Sequence, residues 1–366
     1  MALLHEGQTI RDTYKVERFL GEGAFAEVYR VRHRFLGRQA MKVFKRSGMT
    51  LAETEEMLGE AILLSRIGHP NIVRVFDANV IETEDAVFGY FTMENVSGGS
   101  LDGFWRSHGG RLVPVQTTVD ILKQVCRGLS VAHAEDPPII HRDIKPQNIL
   151  VGYETDGLRA RISDFGLARR VNPLTLLATA AGTLAFKPPE AFLQDKGDSC
   201  TADVWALGTT LYLLLTDNLP YKVDPDLGWG NVKAFQVQLP PPSEYNIDVD
   251  AQLDAIVLKC LNRVPASRYQ HAKALLDALE HWRPAEHNAA SSKRSSSMQS
   301  KAVLGPFTSP DVAEANKLVK KAMDKARREG RPSEAADLME EAFNKSPSLR
   351  EKYANQVRLW RCGVSM

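Results

Sequence analysis

The stretch His141-Arg142-Asp143-Ile144-Lys145-Pro146-Gln147-Asn148, followed shortly by Asp164-Phe165-Gly166, constrains this chain more than any other part of it. Asp143, Lys145 and Asn148 share one short loop, and Asp164 returns across a turn. One small volume then holds a candidate base, a cation and two hard oxygen donors. Phosphoryl transfer needs that set for proton removal, charge neutralisation and metal binding. Any one Asp or Asn in a loop is more often a turn former or helix cap. It is the joint spacing that points to chemistry.

Composition narrows the alternatives. With 366 residues, 43% hydrophobic and 25% charged, the chain can build a sizeable core and resembles an ordinary soluble protein. A formal charge of +1 gives no bulk field for nucleic acid or an anionic membrane, so no nucleic-acid partner is expected. Cys126, Cys200, Cys260 and Cys362 lie far apart without metal or redox spacing, and read as free thiols in a reducing compartment. The first thirteen residues already carry His5, Glu6, Arg11 and Asp12, which leaves no room for a secretory apolar region. The longest apolar run, Val204 to Thr216, is shorter than the roughly 20 residues that span a bilayer, and reads as a buried helix. The expectation is a cytoplasmic protein with no membrane span.

In chain order, Tyr14 to Leu20 and Glu27 to His33 favour strands, joined by Gly21-Glu22-Gly23-Ala24-Phe25-Ala26. Glycines let backbone N–H groups approach phosphate oxygens, although a hairpin with no ligand fits the same letters. Arg38 to Phe44 is an alternating strand with Lys42 among apolar neighbours. From Ala52 to Ile67 the period is helical, with Met57, Ala61, Leu64 and Ile67 on one face and Glu60 beside it. Val87 to Val96 reads as a strand running into Ser97-Gly98-Gly99-Ser100. Pro114 to Ala134 is a helix, with Leu122, Val125, Cys126, Leu129 and Ala132 on one face, that delivers the chain to the central loop.

Several of these segments, with His69-Pro70-Asn71-Ile72-Val73, Asp203-Val-Trp-Ala-Leu-Gly208 and the stretch closing on Arg268, resemble the eukaryotic-like serine/threonine protein kinases, most of all the bacterial members, from Tyr14 to Trp282. The resemblance implies an α+β, two-lobe protein kinase fold over 14–283, with an antiparallel N-lobe sheet plus one helix and a helical C-lobe. It implies ATP with Mg²⁺ or Mn²⁺ and protein substrates bearing Ser or Thr. Asp143 becomes the base, Lys145 the cation at the transferring phosphoryl group, and Asn148 and Asp164 the metal ligands. Lys42 would reach the α- and β-phosphates and Glu60 would hold it, in preference to Glu53, Glu55 or Glu56. Leu20, Gly21, Gly23, Val28, Ala40, Lys42, Glu94, Val96 and Leu150 take the ATP-binding positions, Glu94 to Val96 forming the hinge and Met93 guarding a deeper pocket. Lys145 and Thr183 imply serine/threonine specificity. Arg142 implies regulation through phosphorylation and autophosphorylation of the following segment, with Thr175 and Thr179 as candidate sites. Arg268 would pair with Glu190. Two departures stand out: Ala26 replaces a third glycine, and Lys187-Pro188-Pro189-Glu190 replaces the usual Ala-Pro-Glu. A catalytically silent kinase-fold scaffold acting through its tail is the rival, disfavoured because Lys42, Asp143 and Asp164 are all present.

Residues 1–13 read as a lead-in and 284–310 as a flexible linker, given Ser291, Ser292, Ser295, Ser296, Ser297 and Ser300 and few apolar residues. Residues 311–366 read as a small α-helical appendage. Ala335, Met339, Ala342 and Pro347 have the spacing of the second helix of a tetratricopeptide repeat, which this tail resembles. Docking on the kinase, self-association and binding of a protein partner all remain open for it.

Overall fold

The structure is a computed structural model. It describes residues 2–23, 26–48, 50–82, 86–108, 111–154, 157–165, 184–192, 198–221, 234–284, 310–328 and 331–346, with 349, 353, 356, 357, 360 and 361. Six strands open the fold: β1 (Thr9–Ile10), β2 (Tyr14–Glu22), β3 (Ala26–His33), β4 (Gly37–Ser47), β5 (Val75–Glu82) and β6 (Val87–Glu94). They form one sheet in the order β1-β2-β3-β4-β6-β5, antiparallel throughout.

Alternation along these strands buries both faces of the sheet. Tyr14, Val16, Tyr29, Val31, Met41 and Val43 fill one side, where Leu4 and Ile10 join them. The amides of Leu3 and Leu4 donate to Glu27 and Tyr29, at 2.8 and 3.0 Å, so the first residues are fastened to the sheet. Val28 pairs with Lys42 and Ala40 with Met93, which puts these four on the opposite side, toward the cleft. Helix α1 (Leu51–Ile67) lies between β4 and β5 in sequence. A reciprocal cap starts it: the Glu53 amide donates to Thr50 Oγ1, and Glu53 Oε2 accepts from the Thr50 amide at 2.8 Å.

The second lobe holds α2 (Leu101–Arg106), α3 (Val115–His133), the hairpin β7 (Ile149–Glu154) and β8 (Gly157–Ile162), then α4 (Cys200–Thr216), α5 (Ala251–Cys260) and α6 (Ala272–His281). The apolar run at Val204 is the buried helix expected of it. Every residue of α4 from Ala202 to Thr216 is buried, with Ser199 capping its start and Asp217, at φ 58°, closing its end. Trp205 stacks on Tyr221 with ring centroids 5.6 Å apart, and the Arg268 guanidinium sits 4.8 Å from its ring. Arg268 also holds Glu190 bidentately at 2.6 and 2.7 Å, the expected pair. Gly208 lets α4 approach α5 closely. A Cβ there would lie 2.5 Å from Cys260 Cβ, which is fixed to a helix and cannot swing away. Gly208→Ala is therefore expected to destabilise the lobe by about 1–3 kcal/mol, read as a lower thermal unfolding midpoint.

Beyond the lobes, α7 (Pro310–Arg328) and α8 (Pro332–Lys345) pack together through Ala322, Ala326, Ala335, Met339, Ala342 and Phe343, with Trp360 in the same cluster. The serine-rich segment 285–309 lies outside the described residues. No helix among the described residues is long and apolar enough to cross a membrane.

Candidate active site

The loop at His141 is built from buried polar groups. His141 is fully buried against Phe165, ring centroids 4.6 Å apart. Its Nδ1 accepts the Asp143 amide at 3.2 Å, so Nε2–H donates to the Ser163 carbonyl at 2.8 Å. That pattern requires a neutral ring, and burial pushes the imidazole below its ordinary pKa. Asp203, from α4, accepts the amides of His141 at 2.7 Å and Arg142 at 2.9 Å, and His133 Nε2 at 3.1 Å. Burial pushes its carboxyl upward, but the hydrogen bonds from His133 and the His141 amide outweigh burial and hold it below the ordinary value. The Ala272 amide donates to His133 Nδ1 at 3.1 Å, fixing the ring so that Nε2–H faces Asp203. Arg142 is thereby held at φ 71°, a left-handed conformation that a non-glycine residue adopts only when its surroundings impose it. Lys187 Nζ adds a bond to the Arg142 carbonyl at 2.6 Å.

On this support the predicted residues converge. Lys145 Nζ lies 2.8 Å from Asp143 Oδ2. Asn148 Nδ2 donates to the Asp143 carbonyl at 2.8 Å and to Asp143 Oδ2 at 2.9 Å. Asp164, at φ 65°, receives Lys42 Nζ at 2.7 Å, joining the sheet to the second lobe across the cleft. Both nitrogen bonds of Asn148 go to Asp143, which leaves Oδ1 as the atom a hard cation can use. Among the described residues no three His, Cys, Asp or Glu side chains cluster as a metal site. An amide oxygen and one carboxylate suit Mg²⁺, which takes few protein ligands and completes its shell with phosphate and water. The donor set therefore fits the metal.

The apolar wall is in place too. Val28, Ala40, Val96 and Leu150 belong to one cluster with Met93 and Phe91. Met93 also lines a small cavity with Leu58, Phe91, Asp164 and Phe165 behind the cleft. Leu20 is exposed at the rim, and Gly21 pairs with Val28 beside Gly23, whose amide donates to the Ala26 carbonyl at 2.8 Å. The Glu94 amide is held by the Arg74 carbonyl at 2.8 Å, and its carboxylate by Arg161 at 3.1 Å. Glu60 lies on α1, its side chain outside the described residues, as are Gly166, Thr175, Thr179 and Thr183. Its competitor Glu53 is engaged in the helix cap. Arg142 meets Asp198 at 2.8 Å.

Three supporting residues escaped the sequence reading. Asp203 was legible only as part of a stretch, whereas His133 and Lys187 carry no local signal, because their partners lie in other elements.

A curled sheet over a helical lobe, with a lysine–acid pair spanning the cleft and an acid–lysine–amide group on its floor, defines the two-lobe phosphotransferase class. The protein kinase domain family model matches residues 14–282, and the chain belongs to that family. It is 32% identical over 280 residues to a probable serine/threonine-protein kinase of Clostridium acetobutylicum, covering 75% of this chain and 40% of that protein. It is 32% identical over 275 residues to the serine/threonine-protein kinase PknB of Mycobacterium leprae, covering 72% and 42%. Among solved structures, the PknI kinase domain of Mycobacterium tuberculosis superposes with a TM-score of 0.57 at 26% identity, covering 76% of this chain and 98% of that one. The chain thus spans about 40% of the length of the curated relatives it matches.

Proposed function

We propose that the protein is a serine/threonine protein kinase that transfers the γ-phosphoryl group of ATP to Ser and Thr hydroxyls of proteins. The observation that carries this reading is the joint geometry of Asp143, Lys145 and Asn148 opposite the Lys42–Asp164 pair. Asp143 orients the attacking hydroxyl and takes its proton as the new O–P bond forms and the bond to the ADP oxygen breaks. Lys145, already beside Asp143, answers charge on the transferring group, and Lys42 holds the α- and β-phosphates. Mg²⁺ or Mn²⁺, when bound by Asn148 and Asp164, neutralises phosphate charge. Val28, Ala40, Val96 and Leu150 enclose the adenine, with Leu20, Gly21 and Gly23 above it and the Glu94–Val96 backbone beside it. Glu60 orients Lys42.

Autophosphorylation at Thr175 or Thr179, answered by Arg142, belongs to the same reading, as does a cytoplasmic setting with free Cys126, Cys200 and Cys260. Thr183 accompanies Lys145 in the choice of hydroxyl. The tail reads as tetratricopeptide-like, its small residues Ala335 and Ala342 sitting where α7 and α8 meet.

Purified full-length protein incubated with labelled ATP and Mg²⁺ is the test, beside Asp143→Asn. Label should appear on serine or threonine of a generic substrate and on the protein itself at Thr175 or Thr179, and fall by about 10³-fold or more in the variant. Equal labelling by both proteins would remove Asp143 from the reaction, and none by either would favour the silent scaffold.

A further inference from the structure

The tail does not stand apart from the kinase lobes. Helix α8 lies along the outer edge of the cleft face of the sheet, where Arg18, Arg30 and Arg38 lie on the same side as Val28 and Ala40. Within the lobe Glu17 is the acid that meets Arg30, Arg32 and Arg38, at 2.8, 2.8 and 3.1 Å. One carboxylate facing three guanidiniums leaves an excess of positive charge, and the Arg30 contact with Glu17 lacks hydrogen-bond alignment at Nε. The Arg30 guanidinium is pushed below its ordinary pKa by burial first and then by Arg18 and Arg38.

Helix α8 supplies the missing acids. Asp337 bonds Arg38 and lies 3.7 Å from Arg30, Glu334 lies 3.8 Å from Arg38, and Glu341 meets Arg18 at 3.4 Å. The same helix continues to the hinge and past it. Asn344 Nδ2 donates to the Gly98 carbonyl at 2.9 Å. Phe343 meets Tyr153 of β7 edge to face, centroids 6.5 Å apart. Arg361 ties the end of the tail into this contact, bonding Asp337 at 2.9 Å, the buried Glu340 at 2.6 Å and Ser97 Oγ at 2.9 Å. The segment it touches just past the hinge has no slack, since a Cβ on Gly98 would lie 2.2 Å from the Val151 carbonyl oxygen. One helix therefore contacts the sheet, the segment just past the hinge and a strand of the second lobe, and the bonds named end on the outside of the cleft rather than on Lys42 or Asp164.

We propose that the C-terminal helices form a cis-acting brace across the hinge, fixing the sheet against β7 in the orientation that nucleotide binding requires. The inference rests on the kinase reading above. A plug would bond the residues that hold phosphate. A brace bonds both sides of the hinge and leaves them open, as here. The contact is largely ionic and its Arg18–Glu341 end is exposed, so salt and charge reversal act on that end without unfolding either partner.

The test uses the full chain and two readouts, binding of a fluorescent ATP analogue and KM for ATP. Asp337→Lys places a fourth cation among Arg30, Arg38 and Arg361, and is expected to weaken nucleotide binding and raise KM by about fivefold or more, with kcat at saturating ATP within about twofold. Glu341→Arg alone should weaken binding by about twofold, and Arg18→Glu added to it should restore the wild-type value. This second pair is 41% and 38% exposed, so it carries the test if Asp337→Lys fails to fold. Unchanged nucleotide affinity in Asp337→Lys, or no restoration by the charge exchange, would overturn the brace. Tighter binding in Asp337→Lys would make the tail an inhibitor, and an effect that varies with protein concentration would place the tail on a second copy; both overturn it. If the wild type neither binds nor uses ATP, the kinase reading fails instead, so the two failures are distinct.

Discussion

Asp164→Asn is expected to lower kcat by about 10²–10³-fold or more while leaving the fold intact. The residue sits on a loop with its side chain partly exposed, so little packing depends on it. Its chemistry does, because Asp164 Oδ1 takes Lys42 Nζ at 2.7 Å and the carboxylate is the one acid in the proposed metal set. Asparagine keeps the shape and removes the charge that both cations need. Because Lys42 and Asp164 are in direct contact, their contributions should not add. The double variant Lys42→Met/Asp164→Asn should fall only slightly below the weaker single variant, as groups that act as one unit do. Single-turnover labelling of a generic substrate measures all three. Full additivity of the two losses would mean that the pair seen here is not the arrangement in which transfer occurs.

Much of this site was legible because its residues are close in sequence. Asp143, Lys145 and Asn148 occupy one short loop that ends in a helical turn at Pro146–Asn148, so spacing alone fixes their neighbourhood. The buried α4 was legible from its apolar run, whereas the role of Lys42 and the pairing of Arg268 with Glu190 were legible through the family resemblance. What escaped shares a different property: each residue acts through a distant partner. Leu3 and Leu4 look like the start of a loose lead-in until their amides meet Glu27 and Tyr29. Arg38 read as part of an alternating strand, and Asp337 and Glu340 drew no reading of their own beside Ala335, Met339 and Ala342. Their meanings appear only when the sheet and α8 are set side by side, because charge carries no register in sequence as hydrophobic periodicity does. His133 is similar: buried, aromatic and on a helix, it looks like core until Asp203 and the Ala272 amide occupy its two nitrogens.

Asp203→Ala is expected to destabilise the protein by about 3–5 kcal/mol and to abolish transfer in whatever remains folded. Asp203 has no solvent to replace it: it is 1% exposed and accepts from His133, the His141 amide and the Arg142 amide. Removing it strands two buried amides and an imidazole N–H, and nothing then compels Arg142 into its left-handed conformation next to Asp143. Asp203→Asn should cost less, since its oxygen still accepts one bond while its NH₂ must face a donor. The two variants also differ from wild type in their response to acid. Asp203 is held below its ordinary pKa in the folded state, so its contribution is present above the unfolded value of about 3.9 and is lost as pH falls through the folded value. The stability gap between wild type and Asp203→Asn should therefore be widest near neutrality and narrow only below about pH 4. Urea unfolding of the two proteins at a series of pH values from 7 downward reads that gap directly. A gap that stayed constant across the series would mean that Asp203 has the same pKa folded and unfolded, and a gap that shrank toward neutrality would mean that Asp203 is neutral in the folded protein and that hydrogen bonding without charge holds the catalytic loop.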